Sequence, residues 1–249
     1  MGAITAELLK LKRSLAWPVV VLLPIVLVLA GAATQLARGT QPENGWDTVW
    51  LQSVGFYGLF PLAIGIAILG SLVWRVEHRG SNWNALMSSP IPTLRLVVAK
   101  TAVVAGLTAL MQVVLVLAVI AIGKLAFGLP GMLPGKYHGI GLLLILATVP
   151  VAALQSALSL FLRSFAAPVA VALVASGIST AALLALGNAA LASPYGLATR
   201  TTLLSTGSFA DSGTVTAGDV TAIVVASLVL SVLIVAVTTA VLNRRDTRI

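Results

Sequence analysis

Six apolar runs, each about the length needed to cross a bilayer, recur along the 249 residues and restrict the fold more than any other property of the chain. A hydrocarbon layer about 30 Å thick takes about 20 helical residues, and runs of that order fall at 17–36, 51–74, 96–122, 140–162, 167–186 and 220–242. No Asp, Glu, Lys, Arg or His lies in the interior of any run, with Lys100 standing in the opening turns of the third. At 59% hydrophobic and 9% charged residues, the surplus of apolar side chains exceeds what a soluble core absorbs and must face lipid. Backbone amides in hydrocarbon have to bond within their own segment, which leaves helices or a closed barrel. Barrel strands would alternate in polarity over about ten residues, and no such alternation is present. The expected fold class is therefore all-α, a single polytopic domain of about six transmembrane helices.

The basic residues fix an orientation for that topology. Lys10, Lys12, Arg13, Arg75, Arg79, Arg95, Lys100, Arg163, Arg244, Arg245 and Arg248 fall on one side, and Arg38, Lys124, Lys136 and Arg200 on the other. Eleven cations against Glu7, Glu77 and Asp246 leave +8 on the first side, and four against Glu43, Asp47, Asp211 and Asp219 leave zero on the second. Cytoplasmic segments retain Lys and Arg, so both termini are expected in the cytoplasm of a cell-membrane protein. The same scatter argues against nucleic acid, which asks for a continuous basic face. All five tryptophans, Trp17, Trp46, Trp50, Trp74 and Trp83, lie at or beyond span ends, where an indole suits the headgroup layer.

Ahead of the first span, Ile4, Leu8, Leu11 and Leu15 form one helical stripe, with Lys10 and Arg13 directed elsewhere. Residues 1–16 are thus expected to form an amphipathic helix lying in the membrane interface. The run that follows is too long for a secretory signal core, so it is read as an uncleaved first span.

Chemistry is scarce. There is no cysteine, which removes thiol nucleophiles and zinc-thiolate sites. His78 and His138 are placed on opposite sides of the membrane and cannot share a metal or a proton. Ser156 and Ser159 have no base at membrane depth to activate them. Gly135-Lys136-Tyr137 is the nearest approach to a phosphate-binding loop and lacks both the earlier glycine and the Ser or Thr that follows the lysine. No catalytic or metal site is expected, and no cofactor within this chain. Gln112, Gln155, Ser156 and Ser159 are polar groups within spans that a substrate path would use, with helix packing as the commoner role. Ser176, Ser179 and Thr180 are the polar residues of the fifth span, on which Ala170, Ala175, Ser176, Gly177, Ser179 and Ala181 form a small-residue surface, and 188–218 is expected as a mildly polar outer segment.

The segment 75–95 is the most informative. Ser81 or Asn82 caps a short helix, Pro90 and Pro92 stop it, and Trp83, Leu86 and Met87 fall at i, i+3 and i+4. An apolar face in an otherwise polar loop needs either the headgroup layer or a protein partner.

With a basic amphipathic start, six spans, Glu77-x-x-Gly80, a helix ending at Pro90, and Lys100 opening the next span, the chain resembles the permeases of type-two ABC exporters. It looks most like the branch associated with lantibiotic immunity and with antibiotic or peptide export. The resemblance implies that 81–89 is a coupling helix docking in a separate cytoplasmic ATPase, present in two copies, where ATP and magnesium are held. It implies coupling roles for Glu77, His78, Arg79, Gly80, Trp83, Asn84, Leu86 and Met87. It also implies a dimer, with itself or a sister permease, and outward movement of a hydrophobic or amphipathic substrate. A membrane scaffold that recruits a partner through the same loop is the alternative from another class.

Overall fold

A computed structural model describes residues 14–78, 91–208 and 211–246. It is helical throughout, without strands among the described residues, and six helices are long and apolar enough to cross a membrane. The helix expected at 1–16 lies almost wholly outside the described residues.

The first span is α1, Ala16–Arg38. It carries Pro24 in its interior, tolerable where neighbouring helices satisfy the freed carbonyl. Gly39 ends it at φ 62°, its N–H donating to the Gln35 and Leu36 carbonyls, the left-handed cap that glycine adopts without strain.

The run 51–74 is divided between two helices. Helix α2, Trp46–Tyr57, stops at Gly58, and α3, Pro61–His78, starts on a proline, a residue suited to a first helical turn and not to continuing the previous one. Helix α4, Thr93–Ala121, runs into one π turn, Ile122–Ala126. Gly123 sits under the Trp46 ring, so that any β-carbon there would collide with it. The fourth span joins α5, Gly135–Ala147, to α6, Val149–Phe161, across Thr148, whose hydroxyl donates to the Ile145 carbonyl at 2.9 Å. Helix α7, Ala166–Leu186, follows. After a 3-10 turn at Gly187–Ala192 comes the short α8, Pro194–Thr202, and the last span is α9, Ala217–Asp246.

Helices α3 and α5–α6 are the most enclosed of the spans, while α1, α7 and α9 are peripheral and present Val26, Ile178 and Val232 among other exposed apolar side chains, as lipid-facing helices should. The main core gathers α1 to α6 around Trp50, Tyr57, Ile66, Met111 and Leu144. Helices α1 and α2 touch backbone to backbone: a β-carbon at Gly31 would run into the Gln52 carbonyl oxygen and press the Ser53 amide. Gly31→Ala is therefore expected to cost about 1–3 kcal/mol, in the range of overpacked cores. Gly106→Ala, which meets nothing within 4 Å, should be neutral or slightly stabilising. Thermal unfolding of the two variants in detergent measures the difference.

The tryptophans depart from the headgroup position expected of them. Trp50 and Trp74 are 0% and 1% exposed, Trp50 stacked on Tyr137 with ring centroids 4.7 Å apart. Both rings are turned inward, where a neighbouring helix offers each a larger contact than lipid does. Trp17 does remain outward and exposed; Trp83 lies outside the described residues.

The outer segment 188–218 is not a simple solvated loop. Helix α8 is capped by Ser193, and nearly every residue in it is buried. It is wedged against α2, α5, α6 and α7. Thr199 donates to the Gly58 carbonyl at 2.8 Å, and Thr201 and Thr202 bond back to Leu197 and Thr199. A mildly polar composition is compatible with burial here because each hydroxyl finds a carbonyl within reach.

Candidate functional site

Two ends of the bundle carry different polar clusters. At one end lie Glu77, His78, Lys100 and Ser159; at the other lie Asp47, Lys136, Arg200 and Asp211. The first cluster joins residues that the loop count put on one side, and the second joins residues that it put on the other.

The first end is built where α3 stops and α4 begins. Lys100 donates to Glu77 at 2.9 Å, with the lysine side chain fully buried and the glutamate 5% exposed. A second contact reaches the Val73 carbonyl at 3.4 Å, and the ammonium lies 5.1 Å from the centroid of the Trp74 ring, a favourable place for a cation. Two charges out of water are stable only when paired and bonded like this, since an isolated buried ion costs several kcal/mol. Lys100, read from the sequence as a loop-side cation opening its span, is instead an internal group of the bundle. It and Glu77 neutralise each other, so neither acts as a free topological charge.

Trp74 and His78 extend the cluster to α6. Trp74 Nε1 donates to Ser156 Oγ at 2.9 Å. His78 Nε2 lies 2.7 Å from the Ser159 carbonyl oxygen; a carbonyl only accepts, so Nε2 carries the proton in that bond. Ser71 Oγ is 3.4 Å from Ser159 Oγ and donates to the Phe165 carbonyl at 3.3 Å. One turn of α3 therefore holds α4 by an ion pair and α6 by hydrogen bonds. A small second core of Trp74, Val97, Leu160 and Leu242 brings the end of α9 against the same place.

Of the coupling residues expected from the sequence, Glu77 and His78 are in this cluster. Arg79, Gly80, Trp83, Asn84, Leu86 and Met87 lie outside the described residues, in the segment between the two partners of the ion pair. The path candidates are not gathered into one channel. Ser156 and Ser159 serve the cluster just described. Gln112 accepts from Tyr57 Oη at 3.0 Å and donates to the Thr108 carbonyl. Gln155 donates to Tyr195 Oη at 2.7 Å, tying α6 to α8, while its Oε1 has no hydrogen-bond partner among the described residues.

Two features escaped the sequence reading. Trp74 signalled only a span end, and Arg200 only an outer charge. Arg200 is 8% exposed at its side chain and donates to Asp211 Oδ1 at 2.7 Å, with Asp219 at 3.5 Å. Asp211 Oδ2 accepts in turn from the Gly207 and Gly213 amides. Asp219 and Thr216 cap α9 reciprocally. The outer segment is thus closed on itself by one arginine.

On the same side, Asp47 accepts from Tyr137 Oη at 2.6 Å and pairs with Lys136 at 3.0 Å. The tyrosine hydrogen bond, helped by the lysine and opposed by partial burial, holds the Asp47 carboxyl below its ordinary value. A lowered carboxylate stabilises the fold above its unfolded value and loses that contribution as pH falls through the folded one. With both side chains about half exposed, the effect is small.

No curated protein and no solved structure matches the chain. Residues 3–179 match the family model described as ABC-2 family transporter protein. This match runs from the first residues through the Glu77–Lys100 junction and most of α7, and the chain belongs to the ABC-2 transporter family, as a multi-pass membrane permease.

Proposed function

We propose that this chain is the membrane-spanning subunit of an ATP-driven exporter, and that a separate ATPase docks on the segment between α3 and α4. The observation that carries the reading is the buried Glu77–Lys100 pair, which bridges 23 positions of chain and closes the base of that segment. A push on residues 79–90 is delivered through it to α3 and α4 together, and through Trp74 and His78 to α6. Three helices would then move as one body, which is what a subunit without its own energy source requires of its contact with an engine. In this reading the end bearing Glu77 is cytoplasmic, as the excess of Lys and Arg on that side supports.

Two copies, or one copy with a sister permease, would enclose the path and receive two ATPase subunits. The cargo is a hydrophobic or amphipathic molecule of the peptide-antibiotic, drug or lipid-like class, moved outward, in keeping with spans that offer few polar groups. ATP and magnesium belong to the partner.

Co-purification from cells expressing the chain with its genomic neighbours is expected to bring down an ATPase whose hydrolysis rises with cargo. Trp83→Ala should abolish that stimulation while leaving membrane insertion and yield unchanged. Normal transport by this variant would remove the docking role from the 81–89 helix, and an ATPase bound without any cargo stimulation would make the chain a scaffold.

A further inference from the structure

Beside the ion pair, a cavity of about 190 Å³ opens between the end of α3 and the 162–165 connection. Arg75 and Arg163 line it, with His78 and the hydroxyls of Ser71 and Ser159, and with Phe165 at its side. Both arginines are exposed, and neither makes an ion pair among the described residues. Among the described residues no carboxylate lines the cavity, and Glu77, two residues from Arg75, contacts Lys100 at 2.9 Å. Of two other cavities among the described residues, one beside Tyr195 is too tight for a ligand of this kind and one beside Ile140 is apolar.

The geometry points to a binding site for the phosphate of an anionic lipid headgroup, held between Arg75 and Arg163. Two guanidinium forks suit the oxygens of a phosphate better than any other group in a membrane. Depth selects a lipid as its source. Arg75 is one turn from the end of a spanning helix and Arg163 is in the connection between two others, which is where headgroup phosphates lie, and basic pockets between helix ends are their usual receptors. Exposed Val76 and Phe165 flank the arginines and offer apolar contact to the glycerol and first methylenes. A choline headgroup adds a cation, for which the cavity provides no carboxylate. Phosphatidylglycerol is therefore preferred to phosphatidylcholine. Because His78 and Ser159 belong both to this cavity and to the junction with α6, the lipid would brace the base of the loop whatever the cargo is.

Native mass spectrometry of the full chain tests this. The protein is released from detergent micelles supplemented with equal phosphatidylglycerol and phosphatidylcholine. Wild type is expected to retain phosphatidylglycerol selectively, and Arg75→Gln/Arg163→Gln to retain it about tenfold less, the scale of a lost charge-assisted contact. Arg95→Gln, exposed on the same side but outside the cavity, should behave as wild type. Arg75→Lys/Arg163→Lys, which keeps charge without the fork, should fall between. Equal retention by wild type and the glutamine double variant would overturn the site, as would equal retention of the two lipids by wild type. Displacement of the lipid by millimolar inorganic phosphate would also overturn the lipid assignment, giving the cavity to a soluble phosphate instead.

Discussion

Lys100→Met is expected to destabilise the protein by about 3–5 kcal/mol, the range found when one partner of a buried ion pair is removed and the other is left behind. The methionine fills nearly the same volume, so the loss would come from Glu77, whose side chain is 5% exposed and would lose the ammonium it holds at 2.9 Å. Thermal unfolding in detergent should show a lowered midpoint. The double variant Glu77→Leu/Lys100→Met should recover most of that loss, because an apolar pair of similar size asks for no desolvation of ions. Stability and coupling then separate. If the pair transmits motion from the loop, the double variant folds but stimulates its ATPase less than wild type. Full stimulation in a stable double variant would show that packing between α3 and α4 suffices.

The second large effect is expected at the other end of the bundle. Asp211→Ala removes at once the acceptor for Arg200 at 2.7 Å and for the Gly207 and Gly213 amides at 3.0 and 2.9 Å. Among the described carboxylates Arg200 keeps Asp219, at 3.5 Å. A buried guanidinium deprived of its main partner, together with two orphaned amides, costs about 3–5 kcal/mol. The loss should be local. The connection 203–216 holds itself together through Asp211, whereas α8 is fixed separately by Thr199 on Gly58 and Gln155 on Tyr195. Limited proteolysis from the outer face should therefore reveal new cleavage between α8 and α9 while the spanning helices stay protected. Protection equal to wild type would show that the segment is held by its hydroxyl network instead.

How far the fold was legible depends on the range over which each signal acts. Six spans could be counted because hydrocarbon imposes its length requirement on each run independently of its neighbours, and the observed helices Ala16–Arg38, Thr93–Ala121 and Ala166–Leu186 sit close to the expected runs. The break at Gly58–Pro61 was concealed because both sides of it are apolar, so hydropathy passes over a change that proline and a close Thr202 contact impose. Trp50 and Trp74 were expected to face the headgroup layer and are instead turned into the bundle, since which way a ring turns is a property of a helix pair and not of one helix.

The candidate site follows the same division. Its loop was conspicuous, because Trp83, Leu86 and Met87 are too apolar for a solvated connection, and Glu77-x-x-Gly80 carried the family resemblance. What Glu77 does was invisible: its partner is 23 residues away across the loop, and a lysine near the start of a span reads as one more cation facing water. The sequence by itself determined that this chain crosses the membrane, how many times, and which end gathers the positive charge, because these are additive, one-dimensional consequences of transfer from water to lipid. Only the tertiary structure decided which charges are buried together, that α8 is packed inside instead of lying in solvent, and that one ion pair closes the base of the loop. Those outcomes depend on which side chains meet when helices pack, and no local pattern contains that.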